Sequence, residues 1–458
     1  MNKYYKWELL TLLSFAFFFN QADRALFGIL LQPIQADLKL TASQMGLVAT
    51  ILFATLAFLM PLTGLISDRF NKKHIVTGCL LFWSVSTMLT GWARGFVSLA
   101  FLRSVATGGG EAFYTPAAYP LLAAYHKSTR SIAMAIHQGA FYLGVILTGF
   151  IAGWLADQFG WRYAFLLYGV GGIVLGIICI FRLKGIPQEE PANTGQETAR
   201  QETLGQEIAG QEIAGQGTAG QETAGQGTAG QETARQETLG QGTPGQESYL
   251  KALGALLTNK SFLLLTIGFT AIVFVNNAYM TWSPKYLFAK YQLDLGQAGG
   301  YSMLYHNLAA LLGILFGGLL TDRLVRWNQK VRLELQTFAL LFAIPAIFAV
   351  GSSSTLASTC IALAVFGLFR GLYEANTHAA VFDVVEPRIR GMAVAGMTFV
   401  AFLLGSTSPW LMGQLSDRFG DAQGLAYGFE ILAAVYAIGF FALTVALLFT
   451  FKRDRIEE

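Results

Sequence analysis

Six ionisable side chains interrupt long apolar stretches of this sequence: Asp23, Arg24, Arg103, Glu111, Arg370 and Glu374. Each type has a distinct use in a low-dielectric interior. An arginine stays charged and grips a carboxylate or phosphate with two parallel donors. A carboxylate removed from water has its charged form disfavoured, so it can take up and release a proton. Asp23 and Arg24 are adjacent, and Arg370 and Glu374 stand four apart on one helix face, where they can pair. Two arginines and two carboxylates in the first and fourth apolar stretches suggest a site that takes an anion together with a proton. The plainer alternative is charges that neutralise one another and tie helices together. Polar residues share these depths: His137, Gln138, Asn276, Asn277, Tyr279, His306, Asn307, Asn376 and His378. They suit a hydroxyl-bearing solute or a proton relay, or simply hydrogen bonds between helices.

The elements that must hold these groups follow from composition. Of 458 residues 53% are hydrophobic and 13% charged, against roughly 25% charged in a soluble domain. That excludes an ordinary soluble enzyme, and a net charge of +3 shows no nucleic-acid footprint. Cys79, Cys179 and Cys360 are far apart in apolar runs and have no metal or disulfide spacing. The five histidines are scattered, with no paired-histidine motif, which argues against an intramembrane metalloenzyme. No phosphate-binding loop follows a strand, so no cofactor is expected.

A membrane helix needs about 20 mostly apolar residues. Twelve stretches meet this expectation: 8–35, 43–66, 74–94, 97–125, 130–156, 161–182, 260–287, 297–322, 333–352, 355–383, 390–415 and 424–450. Lys3 and Lys6 precede the first like a signal peptide, but no small-residue cleavage site follows, so it reads as a retained helix. With the N-terminus inside, sixteen Lys and Arg fall in inside segments. Six fall outside, namely Lys39, Arg94, Arg162, Lys285, Lys290 and Arg418. The bias places both termini in the cytoplasm.

The chain divides into a six-helix bundle (1–185), a low-complexity segment (186–255) and a second six-helix bundle (256–458). The middle segment repeats a five-residue unit such as Gly-Gln-Glu-Thr-Ala from Gly195 to Ser248. A pentapeptide β-helix would need a regular apolar residue at the centre of each unit. Polar Thr usually holds that place, so the segment reads as a disordered cytoplasmic linker.

The halves carry matching punctuation. After the second helix comes Gly64-Leu-Ile-Ser-Asp68-Arg69-Phe-Asn71-Lys72-Lys73, and after the eighth Gly318-Leu-Leu-Thr-Asp322-Arg323. The fifth ends Gly153-Trp-Leu-Ala-Asp157-Gln-Phe-Gly160, the eleventh Gly413-Gln-Leu-Ser-Asp417-Arg-Phe-Gly420. Such duplication is the parallel-repeat arrangement of a rocking transporter. Gly64 to Lys73 resembles the signature loop of the major facilitator superfamily, with Asn71 where a Gly is usual. The resemblance spans nearly the whole chain apart from the linker. It implies gating roles for Gly64, Asp68 and Arg69 and for Gly318, Asp322 and Arg323. Asp383, Glu386, Arg388 and Arg390 resemble further gate charges of the second half.

The Asp23-Arg24 pair, the Arg103-to-Glu111 stretch through Gly108-Gly109-Gly110, and Trp282-Ser-Pro284-Lys-Tyr286-Leu287 resemble the anion:cation symporters, which include bacterial sugar-acid carriers. The resemblance implies that Arg24 and Arg103 hold the anion while Asp23 and Glu111 handle protons. It also places the first and seventh helices along the cavity, which favours Asn276, Asn277 and Tyr279, with Asn376, as substrate contacts. Arg103 and Glu111 are eight residues apart where the family has seven, an offset of about 100° on an ideal helix. A distortion at the three glycines would absorb it. Asp-Arg in the first helix and Glu in the fourth also resemble spinster-type lipid carriers.

The expectation is therefore an all-α integral membrane protein of twelve helices in two pseudo-symmetric bundles. It would act as a monomeric proton-coupled symporter of a small organic anion in a bacterial inner membrane. The rival is export of a lipid or drug by the same fold.

Overall fold

Apolar runs and helix caps carve the described residues, 4–186 and 246–456 of this computed structural model, almost wholly into helices. The side chains of Gly64, Leu65, Asp68, Ser131 and residues 246–250 lie outside the description, and so does most of the pentapeptide segment. The described residues 4–186 and 254–456 belong to one compact unit.

In the first half, α1 (Tyr5–Leu38), α2 (Ala42–Arg69) and α3 (Lys72–Thr90) are continuous. The next stretch is broken into α4 (Phe96–Ala100), a π turn (Phe101–Ala106), α5 (Thr107–Glu111) and α6 (Tyr114–Tyr125). Then come α7 (Arg130–Phe159) and α8 (Trp161–Arg182). In the second half α9 (Gln246–Thr258) leads into α10 (Lys260–Tyr291), α11 (Leu295–Leu324), α12 (Val331–Ser352) and α13 (Leu356–Glu374). A short α14 (Thr377–Phe382) precedes α15 (Arg390–Gly405), α16 (Ser408–Phe419), α17 (Asp421–Val445) and α18 (Phe451–Asp454).

Caps fix several of these boundaries. Thr41 and Gln44 form a reciprocal capping box at the start of α2, and Asp294 accepts from Gln297 N at the start of α11. Gly160 and Gly420 end α7 and α16 at φ +88° and +83°, a conformation a side chain would resist, and each directly starts the next long helix.

Among the described residues nine helices are long and apolar enough to cross a membrane, fewer than the twelve stretches read from sequence. The other three are helical but fall short for visible reasons. The first carries Asn20, Gln21, Asp23 and Arg24 at mid-length. The third has only 19 residues and opens on Lys72, Lys73 and His74. The fourth carries Arg103, Glu111 and three consecutive glycines along its length.

Pairs of helices position the site. α1 packs along α7, α11 lies between α7 and α13, and α2 runs beside α15 and α16. Glycines allow the closest approaches between the halves. A Cβ on Gly149 would sit 2.6 Å from Gly299 O, and one on Gly153 would sit 2.3 Å from Leu295 O. The small residues of α7 therefore serve packing.

Candidate functional site

α1, α2, α7, α10, α11, α13 and α15 converge on a cavity shared by the two halves. Its polar wall holds Gln21, Arg24, Asn276, Asn277, Thr281, Asn307 and Arg370. Its apolar wall holds Phe27, Leu52, Phe53, Phe141, Met280 and Phe402.

Arg24 reaches this cavity from the middle of α1. Its Nε donates to Glu111 Oε2 at 2.7 Å, with the arginine side chain 22% exposed and the glutamate fully buried. The other carboxylate oxygen, Oε1, has no partner. The cation is thus held by one bond on one edge, and the rest of its fork is turned towards the cavity.

Arg103 lies elsewhere. Nη1 donates to Asp23 Oδ2 at 2.9 Å and Nη2 to the Asp23 carbonyl at 2.7 Å, while the side chain is wholly buried over the Phe27 ring. Thr87 supplies a further donor to Asp23 Oδ1 at 2.8 Å. Arg103 does not line the cavity, so the pairing of Arg24 with Arg103 around one anion is not the arrangement found. Asp23 is likewise enclosed, and what it touches is Arg103 and Thr87.

The eight-residue spacing has a structural cause. The π turn at Phe101–Ala106 holds one residue more than an α-helical path would. The Leu102 carbonyl accepts from the hydroxyls of Ser86 (2.7 Å) and Thr107 (2.9 Å). The distortion falls before the three glycines, which sit in α5. There Gly108 packs against Leu52, and Gly110 packs against Trp83.

In the second half Arg370 lines the cavity from α13. Its Nη2 lies 3.1 Å from Glu374 Oε2, so the i,i+4 pair forms, and Nη1 lies 3.4 Å from His306 Nε2. Of the other expected contacts, Asn276 and Asn277 line the cavity. Tyr279 is fully buried, donates to the Ser302 carbonyl and packs against His306 and Phe366. Asn376 is buried at the break between α13 and α14, with its amide near Leu372 O at 3.5 Å. Neither lines the cavity. His137 is buried against Phe17 and bonded to Tyr114, and His378 is exposed. Among the described residues no group of His, Cys, Asp and Glu could hold a metal ion. The sequence reading missed Gln21, Thr281 and the cavity-facing role of Arg370. Gln21 sits one turn before Arg24 and Thr281 one turn after Asn277, spacings that put each on its neighbour's face.

The hydrogen bonds described between the halves lie towards the end away from the termini. Asp417, in the loop side of α16, accepts from Ala42 N and Ser43 N at 2.8 Å each, so it sits on the N-terminus of α2. Its sequence counterpart Asp157 accepts from Leu295 N (3.4 Å) and Gly296 N (3.2 Å) at the N-terminus of α11. Both use the affinity of a helix N-terminus for an anion. Lys285 adds Gln35 and Asp421 at 2.6 Å each.

At the opposite end Asp322 and Arg323 are exposed and, among the described residues, make no hydrogen bond or ion pair. Gly318 faces open space and Arg69 is exposed, whereas the side chains of Gly64 and Asp68 lie outside the described residues. Arg332 pairs with Asp383, whose burial raises its carboxyl above the usual aspartate range, and Arg390 donates to Phe382 O at 3.0 Å.

A family model described as Major Facilitator Superfamily matches residues 13–344. An MFS-type efflux pump of Mycolicibacterium smegmatis is 26% identical, covering 99% of this chain and 95% of its own. A hexuronate transporter of Bacillus subtilis is 25% identical, covering 92% and 91%. The crystal structure of a bacterial homolog to the human lysosomal transporter Spinster, inward-facing and unoccupied, superposes with a TM-score of 0.76 at 19% identity over 100% of both chains.

Proposed function

This chain belongs to the Major Facilitator Superfamily, a family of membrane transporters, and from that premise we propose that it carries a small organic anion, such as a sugar acid, together with protons. The carrying observation is the bond from Arg24 Nε, on the cavity wall, to fully buried Glu111. An arriving carboxylate and Glu111 compete for one guanidinium. A proton on Glu111 cancels its charge and frees Arg24 for the anion, so the two loads favour each other's binding. Losing the anion restores the arginine–glutamate pair and expels the proton. This is the reciprocity that coupled binding requires.

Asn276, Asn277, Thr281 and Gln21 offer donors and acceptors to hydroxyls beside the carboxylate. The enclosed Asp23–Arg103 pair holds α1 to the fourth helical stretch and so fixes the neighbouring Arg24. Twelve spans with both termini cytoplasmic, in a bacterial inner membrane, accord with the lysine and arginine bias. With that orientation the shut end faces outward, and Gly318, Asp322 and Arg323 would engage only when the cytoplasmic end closes.

A second reading, export of an amphipathic lipid or drug, draws on the phenyl-rich wall of the same cavity. Purified protein in vesicles loaded with a pH dye separates the two. Acidification driven by a sugar acid and lost in Glu111→Gln supports the symporter. Silence across sugar acids and small carboxylates overturns it in favour of the exporter.

A further inference from the structure

The cavity receives a guanidinium from each half: Arg24 from α1 and Arg370 from α13. Arg24 Nε bonds to Glu111, while Arg370 Nη2 forms an ion pair with Glu374 at 3.1 Å and Arg370 Nη1 lies 3.4 Å from His306 Nε2. Each pair is therefore neutral, and each leaves donors free. On the Arg370 side those donors are visibly unspent. Arg370 is 8% exposed and Asn277 is 2% exposed, and Arg370 Nε and Asn277 Nδ2 have no hydrogen-bond partner although both residues line the cavity. Buried donors facing an apolar-walled cavity are costly unless a ligand meets them.

We propose that the cargo is a diacid, with one acidic group held by Arg24 and the other by Arg370, and that each group enters with its own proton, one on Glu111 and one on Glu374. This rests on the anion-symport reading of the same site and adds its cargo class and stoichiometry. The charge count is closed. The empty site holds two cations and two anions. A dianion brings two negative charges, and protons on both glutamates cancel two, so the loaded cavity is again neutral and the cycle moves no net charge.

The two glutamates differ in surroundings. Glu111 faces Arg24, Asp23 and Arg103 and is fully buried, whereas Glu374 faces Arg370, Tyr142, Tyr436 and His378 with 40% of its side chain exposed. Because the arginines sit on opposite halves, a diacid spanning them also pulls the halves together. A monoacid cannot do this.

The test is the proton-to-solute ratio, read from reversal conditions in proteoliposomes under set pH gradients and potentials. The probes are a six-carbon hydroxylated dicarboxylate and its monocarboxylate counterpart. The expected result is two protons per dicarboxylate with no potential dependence. Glu374→Gln should then give one proton and a potential-dependent flux, and Arg370→Ala should lose dicarboxylate uptake at least tenfold while the monoacid still moves. A wild-type ratio of one, or monoacid transport without diacid transport, overturns the diacid proposal and leaves the symporter standing. Silence with every anion overturns both.

Discussion

Asp417 and Asp157 make a quantitative prediction about which end of the carrier is shut. Replacing Asp417 by alanine removes two hydrogen bonds of 2.8 Å to the first backbone donors of α2. The carboxylate is solvent-exposed, so each bond is taken near the ordinary net value of about 1 kcal/mol and not the larger charged one. Losing both costs about 2 kcal/mol in the conformer with this end shut. Nothing is lost in a conformer where the halves have parted here. The ratio of the two conformers should therefore move about 30-fold towards the open one. Asp157 makes longer bonds, 3.4 and 3.2 Å, so Asp157→Ala should cost about 1 kcal/mol, or about fivefold. The sites share no partner, and the double variant should add the two.

Spin labels on cysteines introduced at Lys39 and Gln423, one in each half at this end, read the separation directly. The native Cys79, Cys179 and Cys360 are all buried and leave the labelling clean. A longer-distance population should grow in the order Asp157→Ala, Asp417→Ala, double variant. Unchanged distributions in all three would refute the reasoning that these carboxylates hold the end shut.

Arg103→Ala leaves the Asp23 carboxylate buried without its cation, which should cost about 3–5 kcal/mol. The loss should appear as a lower melting temperature in detergent, and a variant of unchanged stability with weakened anion binding would restore Arg103 to the binding site. Arg24→Ala should abolish anion binding and also lower the melting temperature, since it strips the fully buried Glu111 of its one bonded partner, and adding Glu111→Gln should recover the stability but not the binding; unchanged affinity by equilibrium binding sinks the clamp. Deleting most of Gly195–Ser248 should leave the initial rate of uptake within about twofold, and loss of uptake in a correctly inserted deletion protein would show the repeats to be needed.

Much of the fold was legible because the bilayer demands long apolar helices, and repeated Gly and Asp punctuate their ends. The site was legible in part. Arg24, Glu111, Asn276 and Asn277 announced themselves as polar groups where polarity is costly. The Arg370–Glu374 pair followed from helical spacing alone. Arg103 carried the same signal and lies elsewhere, because the π turn changes which way its side chain points. Spacing revealed that an anomaly existed without locating it. Asp157 and Asp417 read only as repeated punctuation, since their partners stand 138 and 375 residues away. Contacts of that range follow from how the halves meet, which no local pattern encodes. Even so, both copies show the same run of buried and exposed positions from Ile151 to Gly160 and from Leu411 to Gly420.

The π turn also bears on how this chain should be compared with its relatives. An extra residue in a straight membrane helix would swing everything beyond it by about 100° and push it along by about 1.5 Å. Here the surplus is taken up within Phe101–Ala106, where the Leu102 carbonyl accepts from the Thr107 backbone N–H and from the hydroxyls of Ser86 and Thr107. Glu111 thereby stays in register with Arg24. A residue-by-residue alignment therefore needs a one-residue gap inside this turn. Without it, either Arg103 or Glu111 is matched to the wrong position, and a charged residue present in the fold would be scored as missing.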